Sequence, residues 1–212
     1  MLPWIAITLA AVALLLVAEF RGSHAGVWIA KPVASTGFLG AALAAGAQSS
    51  GYGQWVLAGL VLSWLGDVLL IPHARAAFLA GLASFLLGHV AYAVAFGVRG
   101  LSTGGVVLAA LALIPVALVA LRWLGPHVPR SMQLPVRAYV TVISAMVACA
   151  TGTVVAATAP AILLGALMFF VSDLAVARDR FVAKGPWNKV WGLPLYYGAQ
   201  LVLASTTSLA KP

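Results

Sequence analysis

The sequence predicts an all-α, polytopic transmembrane bundle of about eight helices. Of its 212 residues, 63% are hydrophobic and 8% charged, and the mean hydropathy is +1.07, far outside the composition of water-soluble domains. Windows of about 20 mostly apolar residues, the length that crosses a bilayer, fill nearly the whole chain. Short stretches holding charge, glycine and proline separate them.

Breaks at those stretches delimit eight spans. The first, 2–18, lacks a basic leader and runs into Glu19 and Arg21, so it is expected to be a retained span and not a cleaved signal peptide. The next three are 27–46, which carries Lys31-Pro32, then 54–71, which ends just before Pro72, and 77–97, which lies between Arg75 and Arg99. Span 104–121 stops at Arg122, 134–151 follows Arg130, 159–177 meets Arg178 and Arg180, and 189–209 follows Lys184. Short connections leave no room for a soluble unit, so one domain is expected over 1–212. Gly59 precedes Asp67 by the same interval as Gly165 precedes Asp173, half a chain later. That echo admits a duplication of two parallel four-helix halves.

The formal net charge is +8, yet no dense basic run with interleaved aromatics is present, so nucleic acid is not an expected partner. Cys149 is the only cysteine, which excludes an internal disulfide, a CxxC redox pair and a thiolate metal cluster. Positive residues concentrate on cytoplasmic loops. With eight spans, Arg21, Arg75, Arg122, Arg130, Arg178, Arg180, Lys184 and Lys189 share one side, against Arg99 and Lys211 on the other. The expectation is a multi-pass cell-membrane protein, the inner membrane where there are two, with both termini extracytoplasmic.

A carboxylate at membrane depth costs at least about 2.5–3.5 kcal/mol on insertion scales, so such groups face the bundle interior and serve a function. Asp67 and Asp173 lie near the ends of odd-numbered spans, whereas Lys31, Arg137 and Tyr139 lie near the starts of even ones; Tyr196 and Tyr197 follow in the last. All fall in the cytoplasmic half, with His89 and Gln200 deeper. Gly59, Ser63 and Asp67 recur at helical spacing, as do Gly81, Phe85, His89 and Tyr92, and Arg137, Thr141, Ser144 and Thr151 fall near one face. Polar residues from six or more spans at one depth are what a cavity opening toward the inner leaflet requires, and the stripes support a shared interior. Simpler readings compete: an ion pair of either aspartate with Lys31 or Arg137, basic side chains reaching for head groups, and His89 bonding across helices. Arg178, Asp179 and Arg180 read as a solvated loop, Glu19 as interfacial, and Trp4, Trp28, Trp55 and Trp187 as interfacial anchors.

An ordered set of motifs runs through the chain: Lys31-Pro32; Ser63 with Gly66-Asp67; Phe78-x2-Gly81-x3-Phe85-x2-Gly88-His89-x2-Tyr92; Pro135-x-Arg137-x-Tyr139; Gly165-Ala166 leading to Ser172-Asp173; and Tyr196-Tyr197-x2-Gln200. In these residues and their order the chain resembles the lysoplasmalogenase (YhhN-like) family of eight-helix membrane proteins, and it keeps both aspartates on which that family's proposed mechanism relies. The resemblance implies hydrolysis of the vinyl ether of a lysoplasmalogen, with a membrane lysophospholipid as substrate and no cofactor. Vinyl ethers hydrolyse when an acid protonates the outer alkene carbon and water captures the oxocarbenium ion, work that suits two carboxyl groups. On this reading Asp67 and Asp173 are the pair, in either order, Tyr196 or Tyr197 and His89 orient water or the ether oxygen, and Lys31 and Arg137 hold the phosphate.

Two other classes remain. A zinc hydrolase needs several buried histidines, but His24, His73 and His127 read as loop residues and leave His89 alone, so no metal site is expected. A proton-coupled lipid or small-solute transporter would use the same aspartates, with interrupted spans in both halves. Head group, chain length and oligomeric state are not legible.

Overall fold

Eight α-helices follow one another in the computed structural model, which describes residues 1–72 and 74–209: α1 Leu2–Phe20, α2 His24–Ala44, α3 Gly51–Leu69, α4 Arg75–Arg99, α5 Thr103–Leu124, α6 Gln133–Ala157, α7 Pro160–Ala177 and α8 Pro186–Thr206. His73, read as a loop residue, and Lys211, used for the charge count, lie outside the described residues.

Local chemistry sets the helix ends. The hydroxyls of Ser23, Ser50 and Ser102 accept from the amides of Gly26, Gly53 and Gly105, satisfying first-turn donors of α2, α3 and α5. Pro160 and Pro186 open α7 and α8, where a missing N–H leaves no bond unmade. Thr158 ends α6 in the left-handed region, at φ 49°. α6 is longer than its predicted span because Pro135 is tolerated in its first turn and Gly152 lies within the helix without ending it. His24 begins α2 and is not a loop residue.

Six of the eight helices are long and apolar enough to cross a membrane; α3 and α8 fall outside that set. These two hold Asp67, Asn188, Lys189, Tyr196, Tyr197 and Gln200, and they pack among α1, α2, α4 and α7. Their polarity is tolerated because their neighbours surround it. The opposite holds at the periphery: α5 buries only Ala120 and Leu124, and Leu108 on its outer face is 72% exposed. An apolar exterior around buried Asp67, His89 and Gln200 is the distribution expected of a polytopic bundle in lipid. Trp4, Trp28, Trp55 and Trp187 are all exposed near helix starts.

Successive helices pair as α1–α2, α3–α4, α5–α6 and α7–α8, with α2–α3 and α6–α7 joining the pairs and α4–α6 and α2–α8 closing the bundle. A shift of four helices carries each of these contacts onto another, while α1–α8 has no counterpart of comparable extent. Short connections make sequence neighbours antiparallel. The ends of α1, α3, α5 and α7 therefore meet the starts of α2, α4, α6 and α8 at one end of the bundle, where Glu19, Asp67, Leu124 and Asp173 share a cavity lining with Lys31, Phe78, Val136 and Lys189.

Candidate active site

Close approach of α3 and α4 sets one wall of the site. A Cβ on Gly59 would lie 2.5 Å from the Tyr92 ring, and one on Gly66 would lie 2.6 Å from the Phe85 ring. Glycine at both positions lets the two helices carry large rings at short separation. Phe85 meets Tyr196 edge to face at 5.7 Å, and Phe169 lies 5.4 Å from Tyr196 and 4.5 Å from His89. This aromatic group runs between two carboxyl centres.

At the first centre, Asp67 is 2% exposed. The Ser35 hydroxyl donates to its Oδ2 at 2.5 Å and the Tyr196 hydroxyl donates to the same oxygen at 2.8 Å. Lys31 Nζ lies 3.3 Å from Oδ1. Behind them, Tyr197 Oη is 3.4 Å from both Ser35 Oγ and the Lys31 carbonyl. Lys31 and Ser35 are one helical turn apart on α2, so one helix face delivers both.

At the second centre, the Tyr139 hydroxyl of α6 donates to Asp173 Oδ2 at 2.8 Å. His89 Nε2 lies 3.6 Å from that oxygen, and His89 Nδ1 is 2.6 Å from the Phe85 carbonyl. An Nδ1–H donating to that carbonyl leaves Nε2 as an acceptor facing the carboxyl group. Asp67 thus meets only donors, whereas Asp173 has one donor and, 3.6 Å away, a buried histidine nitrogen with no hydrogen-bond partner among the described residues.

Both aspartates line one cavity of about 460 Å³, within the roughly 300–1,000 Å³ of ligand pockets. Lys31, Tyr139, Ser172 and Tyr196 line it too, beside apolar groups such as Leu82, Ile143 and Phe170. Ser63, His89, Tyr92, Tyr197 and Gln200, expected to bind substrate, are buried behind this surface and absent from the lining. Behind the surface Tyr92 donates to Gln200 Oε1 at 2.6 Å, while Ser172, on the lining, donates to the Phe169 carbonyl at 2.7 Å. Arg137 is not brought to the site: it and Thr141 are exposed, because α6 turns Val136, Ile143, Met146 and Val147 inward and that face outward.

Four features were not foreseen. Ser35 on Asp67 is one, signalled only by its place a turn after Lys31. Lys189 forms an ion pair with Glu19 at the cavity. Arg178, Asp179 and Arg180, expected as a solvated loop, belong to a π-helical turn, Arg178–Val182, in which Asp179 accepts from the Gly185 amide at 3.0 Å and from Asn188 Nδ2 at 2.9 Å. Finally, the Arg180 guanidinium lies over the Phe78 ring, 4.1 Å from its centroid. Among the described residues, no three His, Cys, Asp or Glu side chains gather in a way that would hold a metal ion.

Comparison with known proteins finds a match to the YhhN family model over residues 26–207. The chain is 34% identical over 157 residues to lysoplasmalogenase TMEM86A of Bos taurus, covering 70% of this chain and 63% of that protein. It is 35% identical over 164 residues to lysoplasmalogenase TMEM86B of Homo sapiens, covering 77% and 67%. A lysoplasmalogenase of Mycobacterium bovis is 31% identical over 151 residues, covering 68% and 55%. The chain thus matches less than two thirds of the length of the bovine and mycobacterial proteins. No solved structure matches it.

Proposed function

This chain belongs to the YhhN family, and we propose that it is a membrane-embedded hydrolase that cleaves the vinyl ether bond of lysoplasmalogen-like lysophospholipids, releasing a fatty aldehyde and a glycerophospho-alcohol. The observation that carries the reading is two carboxyl groups on one apolar-walled cavity whose partners differ in kind. Relatives named lysoplasmalogenase support it.

The partners divide the roles. Asp173, between the Tyr139 hydroxyl and the open nitrogen of His89, is the acid. Its proton moves to the outer alkene carbon, the π pair forms the new C–H bond, and an oxocarbenium ion results. Asp67, held by Lys31, Ser35 and Tyr196, is the carboxylate that stabilises this cation and takes a proton from water as it adds. Collapse of the hemiacetal returns that proton to the departing glycerol oxygen and gives the hemiacetal's own proton to Asp173, so both groups are restored. No metal enters the sequence. The apolar walls take the alkenyl chain, and the basic end of the bundle faces the cytoplasmic leaflet.

The competing transporter reading expects paired interruptions in the two halves. Instead α2, α5 and α8 are continuous through Pro32, Pro115 and Pro194. Purified protein in detergent, given a lysoplasmalogen, is expected to release stoichiometric aldehyde, measured by coupled oxidation. Vesicle uptake of the lipid with no aldehyde formed would replace the hydrolase with a carrier.

A further inference from the structure

Of the two cations expected at the phosphate, Lys31 is engaged with Asp67 and Arg137 does not line the cavity. Lys31 lies 3.3 Å from Asp67, and Arg137 is exposed elsewhere on α6. Different charges ring the cavity mouth. Glu19 at the end of α1 and Lys189 at the start of α8 form an ion pair, with side chains 21% and 33% exposed, and Lys184 and Arg180 share the lining. The other rim carboxylate, Asp179, is committed to Gly185 and Asn188. Lys189 precedes Tyr196 by two helical turns, about 10 Å along the axis, which leaves room for a glycerol phosphate between the carboxyl centres and the rim.

We propose that the Glu19–Lys189 pair, with Lys184, is a head-group subsite that selects zwitterionic lysophospholipids. The phosphate takes Lys189 and Lys184, and the head-group ammonium takes Glu19. A partly exposed ion pair contributes little by itself, so exchanging each partner for an opposite charge on the lipid costs little. The subsite rests on the hydrolase reading for its substrate class, but its test does not require turnover.

Equilibrium binding to the purified full chain in detergent compares two saturated ether lysolipids that have no vinyl bond to cleave: a 1-alkyl-glycerophosphoethanolamine and the matching 1-alkyl-glycerol 3-phosphate. Wild type is expected to prefer the ethanolamine lipid by about tenfold, the scale of a charge-assisted hydrogen bond. Glu19→Gln should weaken that lipid about tenfold and the phosphate lipid less than about twofold, erasing the preference. Lys189→Gln should weaken both. The double exchange Glu19→Lys/Lys189→Glu restores a bridge between α1 and α8, so a merely structural pair would recover wild-type binding; the subsite predicts that the preference stays lost. Equal weakening of both lipids by Glu19→Gln, recovery in the exchange, no preference in wild type, or equal competition from diacyl phosphatidylethanolamine would each overturn the proposal. Preference without aldehyde release overturns only the hydrolase, and aldehyde release without preference overturns only the subsite.

Discussion

Asp173→Asn is expected to lower the rate of aldehyde release by about 10²–10⁴-fold, the range of general acid–base catalysis, with the melting temperature in detergent little changed. The amide is near the same size and still accepts from the Tyr139 hydroxyl, so the cavity keeps its shape. What is lost is a proton that can reach carbon. Tyr139 and His89 Nε2 both face the Oδ2 position, so the asparagine keeps its oxygen there for the Tyr139 hydroxyl, and binding of the lipid should persist while kcat falls. A variant that bound normally and turned over at the wild-type rate would remove Asp173 from the proton transfer.

Lys31→Met is expected to damage both folding and turnover. Asp67 is 2% exposed, and its charged partner is Lys31 at 3.3 Å. Removing one side of a buried pair leaves the other charge uncompensated, at a cost of about 3–5 kcal/mol. A second substitution separates the two effects. Lys31→Met/Asp67→Asn deletes both charges and should recover most of the stability, since an uncharged pair of similar volume is tolerated, yet remain inactive because the carboxylate is gone. Thermal unfolding in detergent alongside aldehyde release reads both quantities. Recovery of activity in the double variant would mean that Lys31 and Asp67 serve the fold alone.

Depth was legible in the sequence and rotation was not. A carboxylate amid apolar residues announces itself, so Asp67 and Asp173 were readable, and short antiparallel connections fixed that both lie toward one end of the bundle. Lys31 and Arg137 sit at similar depth near the starts of even-numbered helices, and nothing in the local sequence distinguishes them. The packing of α6 through Val136 and Ile143 does, turning Arg137 outward while α2 turns Lys31 in. Ser35 could not be recognised because a serine within a helix is ordinary until a carboxylate stands opposite it. The Glu19–Lys189 pair joins the first helix to the last, a contact set by closure of the bundle and not by any local pattern. The same holds for Ser63, Tyr92, Tyr197 and Gln200. Helical spacing put them inside, but only the tertiary packing shows that they lie off the cavity lining, with Tyr92 against Phe169 and Phe169 against Tyr196.

If Asp67 and Asp173 act on one ligand as one unit, a double-mutant cycle will show it. Initial rates of aldehyde release would be taken for wild type, Asp67→Asn, Asp173→Asn and the double variant in one detergent. Groups that act together are strongly non-additive, so the double variant is predicted to be little slower than the slower single variant. Losses that multiply, or a single variant that keeps its turnover, would show that the two carboxyl groups do not act together.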